Sequence, residues 1–118
     1  MRIVRASNQT RGGDIAELVE VASSPWSRFW GLMGRRELAP GHGLFIKPCS
    51  SIHMFFMRFP IDVVFLDRDN VVVKVVHGIK PWRLAMGGGG KNALELPAGT
   101  AAAAGISDGD QFEFSDAT

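Results

Sequence analysis

Hydrophobic and polar residues alternate with a period of two along much of this chain, which is the signature of half-buried strands. Residues 14–22 set Ile15, Glu17, Val19 and Val21 on one face and Ala16, Leu18 and Glu20 on the other, a pattern that predicts a strand. The strongest signal is the pair of β-branched runs Ile61–Leu66 and Val71–Val76 around Asp67-Arg68-Asp69-Asn70, which predicts a hairpin. Leu44–Lys47 and Ile52–Met57, separated by Pro48-Cys49-Ser50-Ser51, are apolar on both faces. Such strands belong in the middle of a sandwich or barrel, or beneath a helix. Ala93–Leu96 and Gln111–Phe114 complete the predicted strands.

Two short helices interrupt this pattern. Ser24-Pro25 supplies an N-cap followed by proline at the first helical position, predicting a helix over about residues 25–34. Trp26, Phe29, Trp30 and Met33 recur on one face of it, Gly34 ends it, and Arg28, Arg35 and Arg36 flank it. The helix reads as a lid whose aromatic face lies over apolar surface while the arginine stems cover the edges. Pro97 opens a second, alanine-rich helix over about 98–104, closed by Gly105. Between Gly78 and Asn92 periodicity dissolves, and the run Gly87–Gly90 predicts a mobile loop. Helices and strands do not alternate and nothing repeats. The predicted fold is therefore mostly β, a compact antiparallel sandwich or barrel-like domain with two short helices. It forms one domain over residues 1–118, with 1–13 and 115–118 as flexible flanks.

Composition narrows the functional classes. A chain of 118 residues, 46% hydrophobic and 21% charged, is long enough to bury its own core. A net charge of +1 offers no field for a phosphate backbone, so nucleic acid is not an expected partner. No stretch approaches the roughly 18 apolar residues of a membrane span. A single cysteine, Cys49, excludes an internal disulfide and fits a reducing compartment. The opening Met1–Ser7 lacks the apolar run of a signal peptide, so the expected location is the cytoplasm. Cys49, His42, His53 and His77 lack the paired spacing of a zinc site, and no metal is expected. Gly87–Lys91 falls short of a phosphate loop because Ala85 and Asn92 stand where glycine and serine or threonine are required. Asp67–Asn70 lacks the glycine and distal glutamate of a calcium loop. No cofactor is implied.

The chemistry-bearing candidates are few. Asp62 lies between Ile61 and Val63 and shares a strand face with Val64 and Leu66, so its carboxylate needs a partner. Arg58, four residues earlier, is the nearest one. Asp62 either braces the Pro60 corner or enters a pocket. Glu95, between Leu94 and Leu96, poses the same alternative, and the two acids facing one cavity would form a general acid and base pair. Cys49 and His53 are also four apart. A straight strand would separate them by about 13 Å, so a thiol and imidazole pair requires a bend at Ser50-Ser51. Trp82, beside Pro81 in the irregular stretch, either packs onto the core or, with Arg83, anchors a partner.

Four segments in order, Gly31-Leu32-Met33-Gly34-Arg35, Met57-Arg58-Phe59-Pro60-Ile61-Asp62-Val63-Val64-Phe65-Leu66-Asp67, Leu94-Glu95-Leu96-Pro97-Ala98-Gly99 and Gly105-Ile106-Ser107-Asp108-Gly109-Asp110, resemble the domain of unknown function 192 family. The resemblance extends over about residues 15–115. It implies a small β-rich domain and assigns no biochemical role. Many members carry tryptophan directly before the methionine, where this chain has Phe56 before Met57. Many also carry an export signal, which the start of this chain does not reproduce.

The functional expectation is a noncatalytic binding domain for a small molecule or partner. Its pocket would be floored by the strands of Ile52–Leu66, include His53 and Met57, and be rimmed by Arg35, Arg58, Asp62 and Glu95, with the 78–92 loop alongside. Two alternatives stand beside it. One is a small hydrolase or acyl-transfer enzyme using Cys49 with His53, or Asp62 with Glu95. The other is an adaptor acting through the Trp82 loop or the aromatic helix. The oligomeric state is open.

Overall fold

A computed structural model describes residues 2–117. Nine strands and two helices follow in the order β1 (Ile3–Asn8), β2 (Asp14–Ala22), α1 (Pro25–Trp30), β3 (His42–Ile46), β4 (Ser51–His53), β5 (Ile61–Leu66), β6 (Val72–Ile79), β7 (Leu84–Met86), β8 (Asn92–Pro97), α2 (Thr100–Ala103) and β9 (Phe112–Asp116). Seven strands form one sheet in the order β6-β5-β8-β3-β2-β1-β9, and β4 pairs with β7 in a separate ribbon. The large sheet curls until its ends meet. Val71 bridges Gln111, the Val72 N–H donates to the Asp110 carbonyl, and the Phe112 N–H donates to the Asn70 carbonyl, both at 2.9 Å. Curling in this way shields edges that would otherwise template pairing with other chains. The architecture is mostly β and barrel-like, as the pattern predicts, although β2 and β3 run parallel because the connection carrying α1 crosses between them. Among the described residues no helix is long and apolar enough to cross a membrane.

Strands β3, β5 and β8 are central, which explains why β5 is buried at every position and why alternation is lost there. Their side chains divide by parity. Phe45, Val64, Leu66, Leu94 and Leu96 join Val4, Val19, Ile106 and Phe112 inside the barrel. Leu44, Ile46, Val63, Phe65 and Ala93 face the other way, beneath Leu32, Ile52, Met54, Met57 and Ala85. This second face is covered by the β4–β7 ribbon, the loop that follows β4 and the chain after α1.

The seam of the barrel is braced by Asp110. Its carboxylate accepts from Asn8 Nδ2 at 2.9 Å, Arg11 Nε at 2.8 Å and the Ser107 N–H at 3.0 Å. Burial works against its charge, but these donors outweigh burial and hold its carboxyl below the ordinary value of 3.8.

Several elements differ from the sequence reading. Ile3–Asn8, read as part of a flexible flank, is a strand paired with both β2 and β9, with Val4 and Ala6 buried in the barrel. The remaining ends of those flanks, Met1 and Thr118, lie outside the described residues. The apolar run 52–57 is strand only to His53 and then turns, with Phe56 at φ 62. The stretch read as a mobile loop contains β7, paired to β4 from Leu84 to Met86. Its glycines serve close approach rather than freedom. A Cβ on Gly87 would lie 2.6 Å from the Ser50 carbonyl oxygen and 2.8 Å from Phe65 Cδ1, and one on Gly90 would lie 2.9 Å from Phe65 Cβ. Finally, α1 ends at Trp30 and buries none of its own residues. Its aromatic face points outward, because the residue it contributes to the core is Leu32, just beyond its end.

Candidate functional site

The register of the central strands decides where the two buried acids go. Val63 pairs with Glu95 and Asp62 pairs with Leu96 across β5 and β8. Directly opposed residues share a sheet face and neighbours alternate, so Asp62 and Glu95 lie on opposite faces. A shared acid and base pair is thereby excluded. Asp62 is sealed against α2 and the end of β6. Its Oδ1 accepts from the Gly78 N–H at 2.8 Å, and its Oδ2 accepts from the Gly99 and Ala101 N–H groups at 3.0 and 2.9 Å. Arg58, the partner suggested by spacing, is exposed. Because backbone amides within reach already satisfy the carboxylate, no guanidinium is needed.

Glu95 has the contrasting environment. It sits between Leu44 of β3 and Val63 of β5 on the incompletely covered face, and only 5% of it is exposed. No hydrogen bond to its carboxyl occurs among the described residues. Burial pushes this carboxyl up to about 8, against a smaller opposing pull from Arg35. The acid is therefore mostly protonated at neutral pH and able both to donate and to accept a hydrogen bond.

Glu95 opens into a cavity of about 270 Å³ between α1, the 48–51 turn and β4. Leu32, Ile46, Ile52 and Met57 supply apolar wall, while Arg28, Cys49, Ser51 and His53 supply polar groups. Arg28 donates from Nη1 to the Pro48 carbonyl at 3.3 Å. Its Nε is buried without a partner, the only such side-chain nitrogen or oxygen among the described residues. The Cys49 thiol donates to the Ser51 carbonyl at 3.0 Å. Burial raises the thiol above its ordinary value and outweighs a Ser51 backbone contribution that favours the thiolate, while nearby Glu95 and Arg28 have smaller effects of opposite sign. A nucleophilic cysteine needs the reverse shift. His53 is exposed, with its ring centroid 5.1 Å from that of Phe55.

Of the six pocket residues named from sequence, the cavity brings together His53, Met57 and Glu95. Arg35 stands outside its lining and pairs through Nη2 with Glu20 at 2.8 Å, acting on Glu95 only by its charge. Arg58 and Asp62 are elsewhere. Sequence reasoning missed Arg28 as a wall residue, because a lone arginine beside aromatics reads as an apolar stem with a wet head. The polar turn before Ile52 is the signal that could have pointed to Ser51.

Around the mouth lies an exposed aromatic surface. Trp26 is 70% and Trp82 59% exposed; Trp82, at φ 68, rests on Phe55 and Phe56 with centroids 5.9 and 5.0 Å away. Trp82 thus packs on other exposed rings and not into the core, and Arg83 beside it is exposed as well. An apolar groove of about 540 Å³, completed by Gly34, Phe55 and Phe56, shares Phe29, Trp30, Met33 and His53 with the cavity.

Similarity to other proteins extends over nearly the whole chain. A UPF0127 protein of Thermococcus sibiricus is 35% identical over 116 residues, covering 91% of this chain and 72% of the relative. A UPF0127 protein of Pyrococcus furiosus is 35% identical over 114 residues, covering 91% and 95%. Among solved structures, a Sinorhizobium meliloti protein provisionally described as a transcription regulator superposes with a TM-score of 0.82 at 30% identity, covering 96% of this chain and 92% of that one. A protein of unknown function from Novosphingobium aromaticivorans gives 0.76 at 26% identity, covering 94% and 83%. The family model for DUF192, described as an uncharacterized ACR, matches residues 6–114, and the chain belongs to that family.

Proposed function

We propose that this domain is a noncatalytic receptor for a small organic ligand seated in the Glu95 cavity. One observation carries the reading: a residue only 5% exposed, Glu95, whose carboxyl meets no donor among the described residues and opens into a walled hollow. Its oxygens meet the hollow and not a protein donor, and a ligand group that pairs with them there forms a hydrogen bond strengthened by the apolar surroundings. Concave, largely apolar sites with a few converging polar groups are the usual form of small-molecule sites. Hydrolysis or acyl transfer is less well supported, because the Cys49 thiol is held protonated by burial and the two carboxylates lie on opposite faces.

The test is a fragment screen read by backbone amide shifts. Fragments that bind should perturb residues 28–33, 49–53 and 95, and Glu95→Leu should abolish those responses without unfolding the chain. Responses confined to other surfaces would overturn the reading.

A second reading has its own support. Trp26, Phe29, Trp30, Phe56, Trp82, Leu84 and Met86 are all exposed, and large apolar patches on a monomer mark sites of interaction. In that reading the domain is an adaptor whose aromatic surface meets a partner protein.

A further inference from the structure

Resting on the receptor reading, we infer that the ligand is a monocarboxylate with an apolar tail, its carboxylate held between Glu95 and Arg28 and its tail lying along the Phe29, Trp30, Phe55 and Phe56 groove. Three features of the cavity point to this class. The first is hydrogen-bonding need. Arg28 lines the cavity with a guanidinium of which only Nη1 meets an acceptor among the described residues, the Pro48 carbonyl, and a carboxylate matches that planar fork better than any other common acceptor.

The second is charge. Arg28 from α1 lines the cavity, Arg35 acts on Glu95 from the segment after α1, Lys91 lines the adjoining hollow beside Cys49, and His53 enters from β4. Glu95 is the only acid in the wall, and with its carboxyl held near 8 it is largely uncharged at neutral pH. An anion is therefore favoured over an ammonium group. The protonated Glu95 donates its O–H to one carboxylate oxygen of the ligand while Arg28 approaches the other; no covalent step is involved.

The third is continuity. The cavity and the apolar groove share Phe29, Trp30, Met33 and His53, so a molecule whose head fills the first has its body directed along the second. Burying a short aliphatic chain there gains about 0.8 kcal/mol per methylene removed from water.

The probes are octanoate, octanamide and octylammonium, titrated calorimetrically into the full chain at about pH 6 and about pH 9, with amide shifts locating the site. Octanoate should bind best, perturb residues 28–33, 49–53 and 95, and bind about tenfold more weakly at the higher pH, because Glu95 then ionises against it. Glu95→Gln, which keeps a neutral donor, should retain binding at low pH and lose that pH dependence. Arg28→Gln, a change at a half-buried position of α1, should weaken octanoate by about tenfold or more. Preference for octylammonium, no octanoate binding, or an unchanged pH dependence in Glu95→Gln would each overturn the carboxylate inference. The receptor reading is lost only if the fragment screen also leaves the cavity residues unperturbed.

Discussion

Asp62 and Glu95 occupy neighbouring strands, one residue apart in register, and both are buried, yet they differ in every other respect. Asp62 faces the barrel interior, where the turn into α2 and the end of β6 present three backbone N–H groups to it. Glu95 faces the opposite side, where a ribbon of three-residue strands and a six-residue helix leave a hollow and no donor among the described residues reaches it. A satisfied buried acid is architecture. An unsatisfied one facing accessible space is a candidate for binding, since its missing partner has to come from outside the chain.

The comparison can be broken most severely at Asp62. Asp62→Ala removes the acceptor of three backbone amides, the buried one of Ala101 among them, and should cost about 2–4 kcal/mol in denaturant unfolding. A loss below about 1 kcal/mol would mean that the carboxylate does not organise the α2 turn.

Next in size is the pH response of Glu95. Its folded carboxyl, near 8, holds a proton more tightly than the ordinary value of 4.5 expected once unfolded. Wild-type stability should therefore fall as pH rises from 4.5 towards 8 and level off above it, by an amount on the order of a few kcal/mol. Glu95→Gln should flatten this slope and be the more stable protein at high pH, as measured by melting temperature. Asp110 has the opposite sign. Its lowered carboxyl stabilises the fold above 3.8, and that contribution should disappear only as pH falls through its still lower folded value.

Gly87→Ala tests whether the glycine run is packed or loose. Its added methyl meets the Ser50 carbonyl and the Phe65 ring, so a loss of about 1–3 kcal/mol is expected. A neutral result would restore the picture of a mobile loop. The smallest effect concerns Cys49. With its thiol raised by burial and donating to Ser51, its alkylation by iodoacetamide at neutral pH should be slower than that of free cysteine by about threefold or more, and octanoate should slow it further.

Much of the sheet was legible because local pattern and final environment agree. The 14–22 strand, the hairpin of β5 and β6, and β8 all carry alternation or β-branched runs that fit only a strand. Ile3–Asn8 was not, because its short alternation gains meaning only when β2 and β9 lie on either side. The aromatic helix reads correctly as helix and incorrectly as a lid: helical spacing defines a face but not which way it turns. The glycine run misleads for a related reason, since flexibility and close packing demand the same residue.

The chain alone determines that strands dominate, that the domain resembles its family, and that Asp62 and Glu95 each sit among apolar neighbours. Their opposite fates were decided in three dimensions. Parity along a strand is a local property, but which face receives donors depends on elements that arrive from distant parts of the chain: α2 and the end of β6 for one acid, α1 and the 48–51 turn for the other. A carboxyl's partner, or the lack of one, is a fact about that encounter.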